Sequence, residues 1–156
     1  MSEETIRAEI KNILEDVSGI GVIHTRRRYS RSRVVFRQLM TSGGIVNGCM
    51  IFRQATTAER QELPHIDRYH HYKIIYYYDL DDENASEDTF QALLEAIFEA
   101  FKSNSTLNGA AVNSGPIQIE DVDTDYLESE KEGVPGTLVH RGDLSIDIEE
   151  WETYTP

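Results

Sequence analysis

The strongest constraint on the fold is a stripe of large apolar side chains on one predicted helix. Six of them recur at steps of three and four residues: Phe90, Leu93, Leu94, Ile97, Phe98 and Phe101. Each contributes about 1.5–3 kcal/mol of gross burial free energy when it leaves water, so the helix must dock against another layer. Asn84 or Ser86 is the expected N-cap of this helix.

The second layer is predicted by residues 66–79, in which two sets of side chains alternate. Tyr72, Ile74 and Tyr76 belong to one set, while Ile75 and Tyr77 belong to the other. Alternation with a period of two is typical of a β-strand, and apolar residues in both sets indicate that both faces of the strand are covered. We therefore predict a central strand.

The remaining elements follow from similar patterns. An amphipathic helix is predicted from Ile6 to Val17, ending before Gly19, and a shorter helix capped by Ser30 or Ser32 contains Val35. We predict strands at residues 20–24, 45–53, 116–123 and 137–149, the last two forming an antiparallel pair, and a long loop at residues 54–65.

Together these elements predict an α+β fold in a single domain spanning residues 1–156. Its twisted, mainly antiparallel sheet of four to five strands would be packed by two main helices and a short third helix. A chain of 156 residues is long enough to bury a core without a covalent staple. Cys49, the only cysteine, excludes an intramolecular disulfide and is expected to be a buried small hydrophobe. No segment has the pattern of an export signal or a membrane span.

Charge is divided unevenly along the chain. Residues 1–78 contain twelve Lys and Arg and eight Asp and Glu, whereas residues 79–156 contain three and twenty, so the net charges are +4 and −17. The basic part is concentrated in Arg26, Arg27, Arg28, Arg31, Arg33 and Arg37, and the acidic part includes Glu120, Asp121, Asp123, Asp125 and Glu128. A chain with both surfaces can bind copies of itself.

These charges predict a subunit interface in which the arginine run contacts acids of a neighbouring copy. Two alternatives remain open for the arginine run: a solvated surface, or a phosphate-binding surface for nucleic acid. The second has little aromatic support, because Tyr29 and Phe36 are the only two aromatic residues within the run.

An enzymatic interpretation has little support. His65, Asp67, His70 and His140 are residue types that bind metals, but neighbouring strand positions such as His70 and His71 would point to opposite faces. No nucleophile or phosphate-loop motif is present. We predict a protein that is not an enzyme, with no metal or cofactor.

Several sequence blocks resemble the tail terminator, or tail-completion, proteins of long-tailed bacteriophages. They are residues 69–82 (YHHYKIIYYYDLDD), 86–97 (SEDTFQALLEAI), 107–109 (LNG), 115–118 (GPIQ) and 138–150 (LVHRGDLSIDIEE), with weaker similarity at 47–51 (NGCMI). The resemblance covers about half of the chain and contains no catalytic motif.

This resemblance implies an α+β subunit that assembles as a homohexameric ring on the tail tube. Such a ring would stop polymerisation of the tube and provide the surface to which the head attaches. Its implied partners are further copies of the chain, the tail tube protein and neck or connector proteins, with DNA passing through the ring and no membrane. The implied location is the virion tail or neck, after assembly in the bacterial cytoplasm. A neck or head–tail connector protein is the alternative within the same class.

Overall fold

The computed structural model describes residues 3–29, 33–60, 65–104, 106–107, 113–127 and 136–153. In chain order the elements are α1 (Glu3–Glu15), β1 (Val22–His24), α2 (Arg33–Leu39), β2 (Thr41–Ser42), β3 (Ile45–Arg60), β4 (His65–Asp79), a single 3-10 turn (Asp82–Asn84), α3 (Ser86–Lys102), β5 (Asn113–Ser114), β6 (Gln118–Leu127) and β7 (Thr137–Thr153). The α+β class predicted from the sequence is confirmed.

One curled sheet contains all the described strands. The strand order is β1-β3-β4-β7-β5, with β2 paired to β3 and β6 paired to β7. Of the pairings between these described strands, only β1–β3 is parallel. The predicted central position of β4 is confirmed, because β4 pairs with β3 along one edge and with β7 along the other.

The larger core lies on the face of the sheet that α1 and α3 cover, which we call face A. The predicted stripe of α3 packs here: five of its six side chains are buried, and Phe98 packs against them while partly exposed. The strands contribute alternate residues to the same cluster, including Ile51 of β3, Tyr76 of β4 and Ile146 of β7. At Gly142 a Cβ atom would lie 3.1 Å from both Phe90 and Leu94, so the glycine lets α3 approach β7 closely.

A smaller core lies on the opposite face, face B, beneath α2. Phe36 and Met40 from the α2 segment pack with side chains from four strands: Val46, Met50, Phe52, Ile75, Tyr77, Leu127 and Val139. The ring of Phe36 meets that of Tyr77 edge to face at 5.5 Å between centroids. This second cluster explains why β4 carries apolar residues in both of its alternating sets.

The main error of the sequence prediction concerns residues 54–65. They were expected to form a loop because they are polar, yet β3 continues to Arg60 and β4 begins at His65. The two strands remain paired from Asn47–Tyr78 to Arg60–Ile66, with one irregularity between Arg53 and Ala55. Cross-strand pairing to β4 is sufficient to hold a polar segment in a strand, and periodicity of apolar residues does not report it.

Two smaller predictions also differ from the structure. Within the described residues the sheet has seven strands rather than four or five, since β2 and β5 are two-residue strands with no periodicity to detect. The N-cap of α3 is neither Asn84 nor Ser86 but Ala85, in a left-handed conformation with φ of 54°. Ser30 and Ser32, the predicted caps of α2, lie outside the described residues.

The ends of three strands form a sheet extension that we call the arm: residues 54–60 of β3, 65–70 of β4 and 149–153 of β7. Residues 53–59 of β3 are exposed at every position, so neither face of this strand is covered here. The buried side chains of the arm are polar ones, including Asp67, His70 and Glu150. The arm therefore adds little apolar burial to the fold.

Candidate subunit interface

The first arginines of the run lie beside the outer edge of β3. Strand β1 runs parallel to β3, with His24 opposite Met50, and the chain then continues along the same edge. The guanidinium carbon of Arg27 lies 3.8 Å from the centroid of the Phe52 ring, which is a cation–π contact. Nη1 of Arg28 lies 3.1 Å from Nδ1 of His24. These contacts fix the backbone while Arg26 and Arg27 remain exposed.

The acids lie on β6, whose only partner strand among the described residues is β7. Asp121 and Asp123 are exposed and lie opposite Asp143 and Arg141 of β7. On β7, Val139 belongs to the face B core, so the alternate positions Arg141 and Asp143 also lie on face B. Asp121 and Asp123 therefore present their carboxylates along the outer part of face B.

Two of the predicted acids are already engaged within the subunit. Glu120 accepts a 2.6 Å hydrogen bond from the Ser145 hydroxyl and lies 3.8 Å from Nζ of Lys73. Asp125 is half-buried and lies 3.7 Å from Arg141. The guanidinium of Arg141 also binds Asp143, and these acids raise its pKa although burial opposes them. Asp121 and Asp123 are thus the better candidates for binding another subunit.

The arginine segment and the acidic strand occupy the two opposite edges of the sheet. Reading across, β1 and its flanking arginines lie beside β3 at one edge, followed by β4 and β7, and β6 forms the other edge. Helix α2 departs from this separation because it lies over face B and contacts both β3 and β6. Helix α2, which carries the half-exposed Arg37, therefore lies closer to the acidic strand of its own subunit than the sequence suggests.

Three predicted interface residues are wholly or partly outside the description. Arg31 and Glu128 lie outside the described residues, and only the backbone of Arg33 is described, at the start of α2.

Exposed apolar side chains accompany the charges at both edges. Tyr126 of β6 and Leu138 of β7 lie directly opposite one another and are 47% and 50% exposed. Near the arginines, Tyr29 is 77% exposed and Val35 45% exposed. Each charged edge thus carries apolar surface of the kind that association can bury.

The side chains that suggested a metal site are not brought together. His70 is buried on face A and its Nδ1 lies 3.0 Å from the Thr56 hydroxyl, whereas Asp67 lies at the alternate strand positions that belong to face B. His140 lies near the other end of β7, and the side chain of His65 lies outside the description. Within the described residues, no group of three His, Cys, Asp or Glu side chains is placed to hold a metal ion.

A network of polar side-chain contacts that the sequence did not suggest joins α3 to β7. The buried Ser86 hydroxyl lies 2.8 Å from Nε2 of His140, whose Nδ1 lies 3.3 Å from a carboxylate oxygen of Glu87. The order Ser–His–Glu is that of a hydrolytic triad. The Ser86 oxygen, however, also accepts a 2.8 Å hydrogen bond from the backbone N–H of Asp81.

These polar contacts hold the start of α3 against β7, and they leave the Ser86 hydroxyl buried. Ser86 is 5% exposed and His140 4% exposed, and the ring of Phe90 packs 5.3 Å from that of His140. No local motif signals the contact, because Ser86 and His140 are 54 residues apart.

Cys49 has the environment predicted from the sequence. It is fully buried in the face A core, and burial raises the pKa of its thiol to about 12. A protonated, inaccessible thiol is a poor nucleophile, so Cys49 contributes packing.

The curled sheet forms a polar trough on face B, with a volume of about 310 Å³. Its walls come from β3 and from the segment leading into β6, and its floor includes a hydrogen bond between His71 and Asp147. Glu120 and Ser145 also line it. The trough lies between the two edges described above, so groups that dock along either edge would border it.

No protein-family model matches this chain, and no curated protein matches it. None of the helices in the described part of the chain is both long and apolar enough to cross a membrane.

Proposed function

We propose that this protein is a structural component of long-tailed bacteriophage virions, a tail terminator that closes into a homohexameric ring at the head-proximal end of the tail tube. The observation that carries the proposal is the placement of exposed arginines and exposed acids at opposite edges of one sheet. The ring would stop tube polymerisation and present the surface for head attachment.

Opposite edges matter because a cyclic ring requires a head-to-tail interface. Each subunit must offer two different, complementary patches, and a rotation then closes the ring. The β1–β3 edge with Arg26 and Arg27 and the β6 edge with Asp121 and Asp123 are such a pair. A two-fold dimer joined through either edge alone would instead place like charges against each other.

The two edges also supply different parts of the binding free energy. Exposed ion pairs contribute about 0–1 kcal/mol each, so charge mainly orients and accelerates docking. The larger contribution would come from apolar surface, which Tyr126 and Leu138 provide on the acidic side and Tyr29 and Val35 on the basic side.

The assignment to a phage tail rests on the resemblance described above. The blocks that carry it are the central strand β4, helix α3 and strand β7, which together form the framework of the subunit. The arginine segment lies outside those blocks, so it would adapt a shared framework to a particular neighbour.

Deletion of the gene from its phage tests the biological role. A terminator mutant should produce tail tubes longer than those of the wild type, as seen by electron microscopy, because nothing stops subunit addition. Complementation with the wild-type gene should restore normal length. Headless tails of normal length would indicate a connector instead, and normal virions would contradict both roles.

A charge swap tests the interface itself. Arg26→Glu should weaken ring formation about 5- to 30-fold, measured by native mass spectrometry. The substitution replaces one attraction with one repulsion, and together the two changes lower the binding free energy by about 1–2 kcal/mol. Asp121→Arg should have a similar effect, and the double variant should recover part of the loss.

Lys11→Glu is the matched control, since Lys11 is an exposed cation on α1 whose salt bridge is to Glu15 of the same helix. Its reversal should leave assembly unchanged. A wild-type protein that remains strictly monomeric even with tail tubes present would contradict the ring.

A further inference from the structure

The arm contains a strand edge that no other described strand of its subunit pairs with. Strand β3 pairs with β2 at Ile45 and Val46 and with β1 from Gly48 to Met50. Beyond Met50, no other strand within the described residues pairs with the outer edge of β3. Among the described residues, no strand occupies the backbone groups of residues 54–60 on that side, so they can pair with another chain.

The edge is also unusually open for a free strand. Natural proteins protect edges with lysine, proline, strong bulges or covering segments. Residues 54–58 (QATTA) contain no charge and no proline, and all are exposed. The one irregularity, between Arg53 and Ala55, lies at the start of the segment.

The second free edge belongs to β6. Nine of its ten residues pair with β7 on one side, and within the described part of the chain no strand pairs with the other side. Its exposed residues include Glu120, Asp121 and Asp123, so two β6 edges would oppose like charges. On the β3 edge, residues 54–60 contain one acid, Glu59, and one base, Arg60, and Arg53 and the arginines after β1 flank them, so this edge carries no net negative charge to oppose β6.

We infer that residues 54–60 of β3 pair, backbone to backbone, with β6 of the neighbouring copy, so that the sheets of adjacent subunits join into one. This inference rests on the proposed ring and specifies its contact. The occupant of the β3 edge is a second copy of the chain because that copy carries the complementary acidic edge.

Strand direction supports this pairing. Strands β3 and β4, β4 and β7, and β7 and β6 are each antiparallel, so β3 and β6 run in opposite directions within a subunit. A neighbour placed beside the sheet without inversion therefore presents its β3 antiparallel to β6. In that arrangement face B of one subunit continues into face B of the next.

The ladders further require an offset between neighbours. Strand β6 lies level with residues 137–145 of β7, while Ala55 lies level with Asp147 through His71. Subunits must be shifted along the strand direction for the arm to reach β6. Such a shift tilts strands relative to the ring axis, as strands are tilted in closed barrels.

Hydrogen exchange tests the backbone contact without assuming a register. The wild-type ring is compared with a monomeric form, produced by dilution or by Arg26→Glu. We expect amides in residues 54–60 and 118–127 to exchange at least tenfold more slowly in the ring. The outward amides of α1 serve as an internal control that should not change. A ring that leaves both segments unprotected would overturn the inference.

Disulfide trapping identifies the partner edges. Ala55→Cys or Thr57→Cys is combined with Gln118→Cys, Asp121→Cys or Asp123→Cys, and the buried Cys49 should not interfere. A head-to-tail contact within disulfide reach should give a ladder of covalent multimers from at least one double variant, and no multimers from the single variants.

The outcomes separate this inference from the proposed function. Covalent dimers from Thr57→Cys alone would indicate a two-fold β3–β3 contact and overturn the inference. A hexamer in native mass measurements with neither protection nor a ladder would overturn the strand pairing but leave the ring intact. A strict monomer would overturn the ring itself.

Discussion

The central strand β4 behaves differently at its two ends. Toward its C-terminal end, Ile74 and Tyr76 are fully buried on face A, and Ile75 and Tyr77 are buried on face B. Toward its N-terminal end, in the arm, the buried side chains are Asp67 and His70. The neighbouring strands continue through both regions, so the hydrogen-bonded ladder is common to them and apolar packing is not.

This difference indicates that the two regions have different roles. The covered region holds the subunit together, because it contains the apolar area that opposes the entropy of folding. The arm is maintained by pairing with little apolar burial. Its exposed strand is better explained by a partner than by the stability of one subunit.

The largest effect should come from the covered region. Phe90 is fully buried, and its ring stacks with that of Tyr78 and packs at a tilt against that of Tyr76. Phe90→Ala should lower the free energy of unfolding by about 3–5 kcal/mol, since it removes apolar contact and leaves a cavity. Chemical denaturation with a circular dichroism readout measures this. A loss below about 1 kcal/mol would mean that α3 does not anchor the core.

A smaller effect is expected from the polar contacts that hold the start of α3 against β7. Ser86→Ala leaves the Asp81 N–H and Nε2 of His140 without their partner, at a cost of about 1–3 kcal/mol. Thr89→Ala, an exposed change on the same helix, should stay within about 0.5 kcal/mol. Equal stability of the two variants would show that these polar contacts contribute nothing to the free energy of unfolding.

The junction between the two regions should respond to pH. Burial lowers the pKa of His70 from its ordinary 6.5, Arg68 lowers it further, and Glu150 opposes them. Below pH 6.5, His70 binds a proton more readily in the unfolded chain than in the folded one. The contribution of His70 to the free energy of unfolding is therefore fully present above pH 6.5 and is lost as the pH falls.

His70→Gln should remove that pH-dependent component, which is at most about 1.4 kcal/mol per pH unit. The measurement is the unfolding free energy of the variant and the wild type between pH 7.5 and 5.5. His71→Gln, at a partly exposed position on the other face, is the control. Parallel curves for the wild type and His70→Gln would exclude the effect.

The smallest effect on subunit stability is expected in the arm. Thr57→Ala changes an exposed side chain and should alter the unfolding free energy of the monomer by no more than about 0.5 kcal/mol. A monomer destabilised as strongly as by a core substitution would show that the arm belongs to the subunit's own core, and that the two ends of β4 do not differ in role.

Prediction from the sequence succeeded for the elements whose apolar residues recur at a regular spacing. The stripe of α3 and the alternation of β4 specified a helix on a central strand because periodicity records which side is buried. Prediction failed at residues 54–60, where polar, exposed side chains carry no such record and pairing with β4 alone maintains the strand. The Ser86–His140 contact was missed for a related reason, since only the docking of α3 on β7 brings the two side chains together.

The candidate interface, too, could be predicted only in part from the sequence. The sequence located the arginines and the acids, because charge is a property of each residue. It did not indicate that Asp125 is engaged by Arg141, or that α2 brings Arg37 toward β6. Those facts depend on the curl of the sheet.

By itself the sequence determined the helical and central strand elements, the α+β class and the separation of charge along the chain, because each is encoded in local pattern or composition. Only the tertiary structure decided that the exposed arginines and acids lie at opposite edges of one sheet, and that no other described strand pairs with the edge of β3 beyond Met50. Strand order and ladder length arise from pairing between distant residues, which local pattern does not contain.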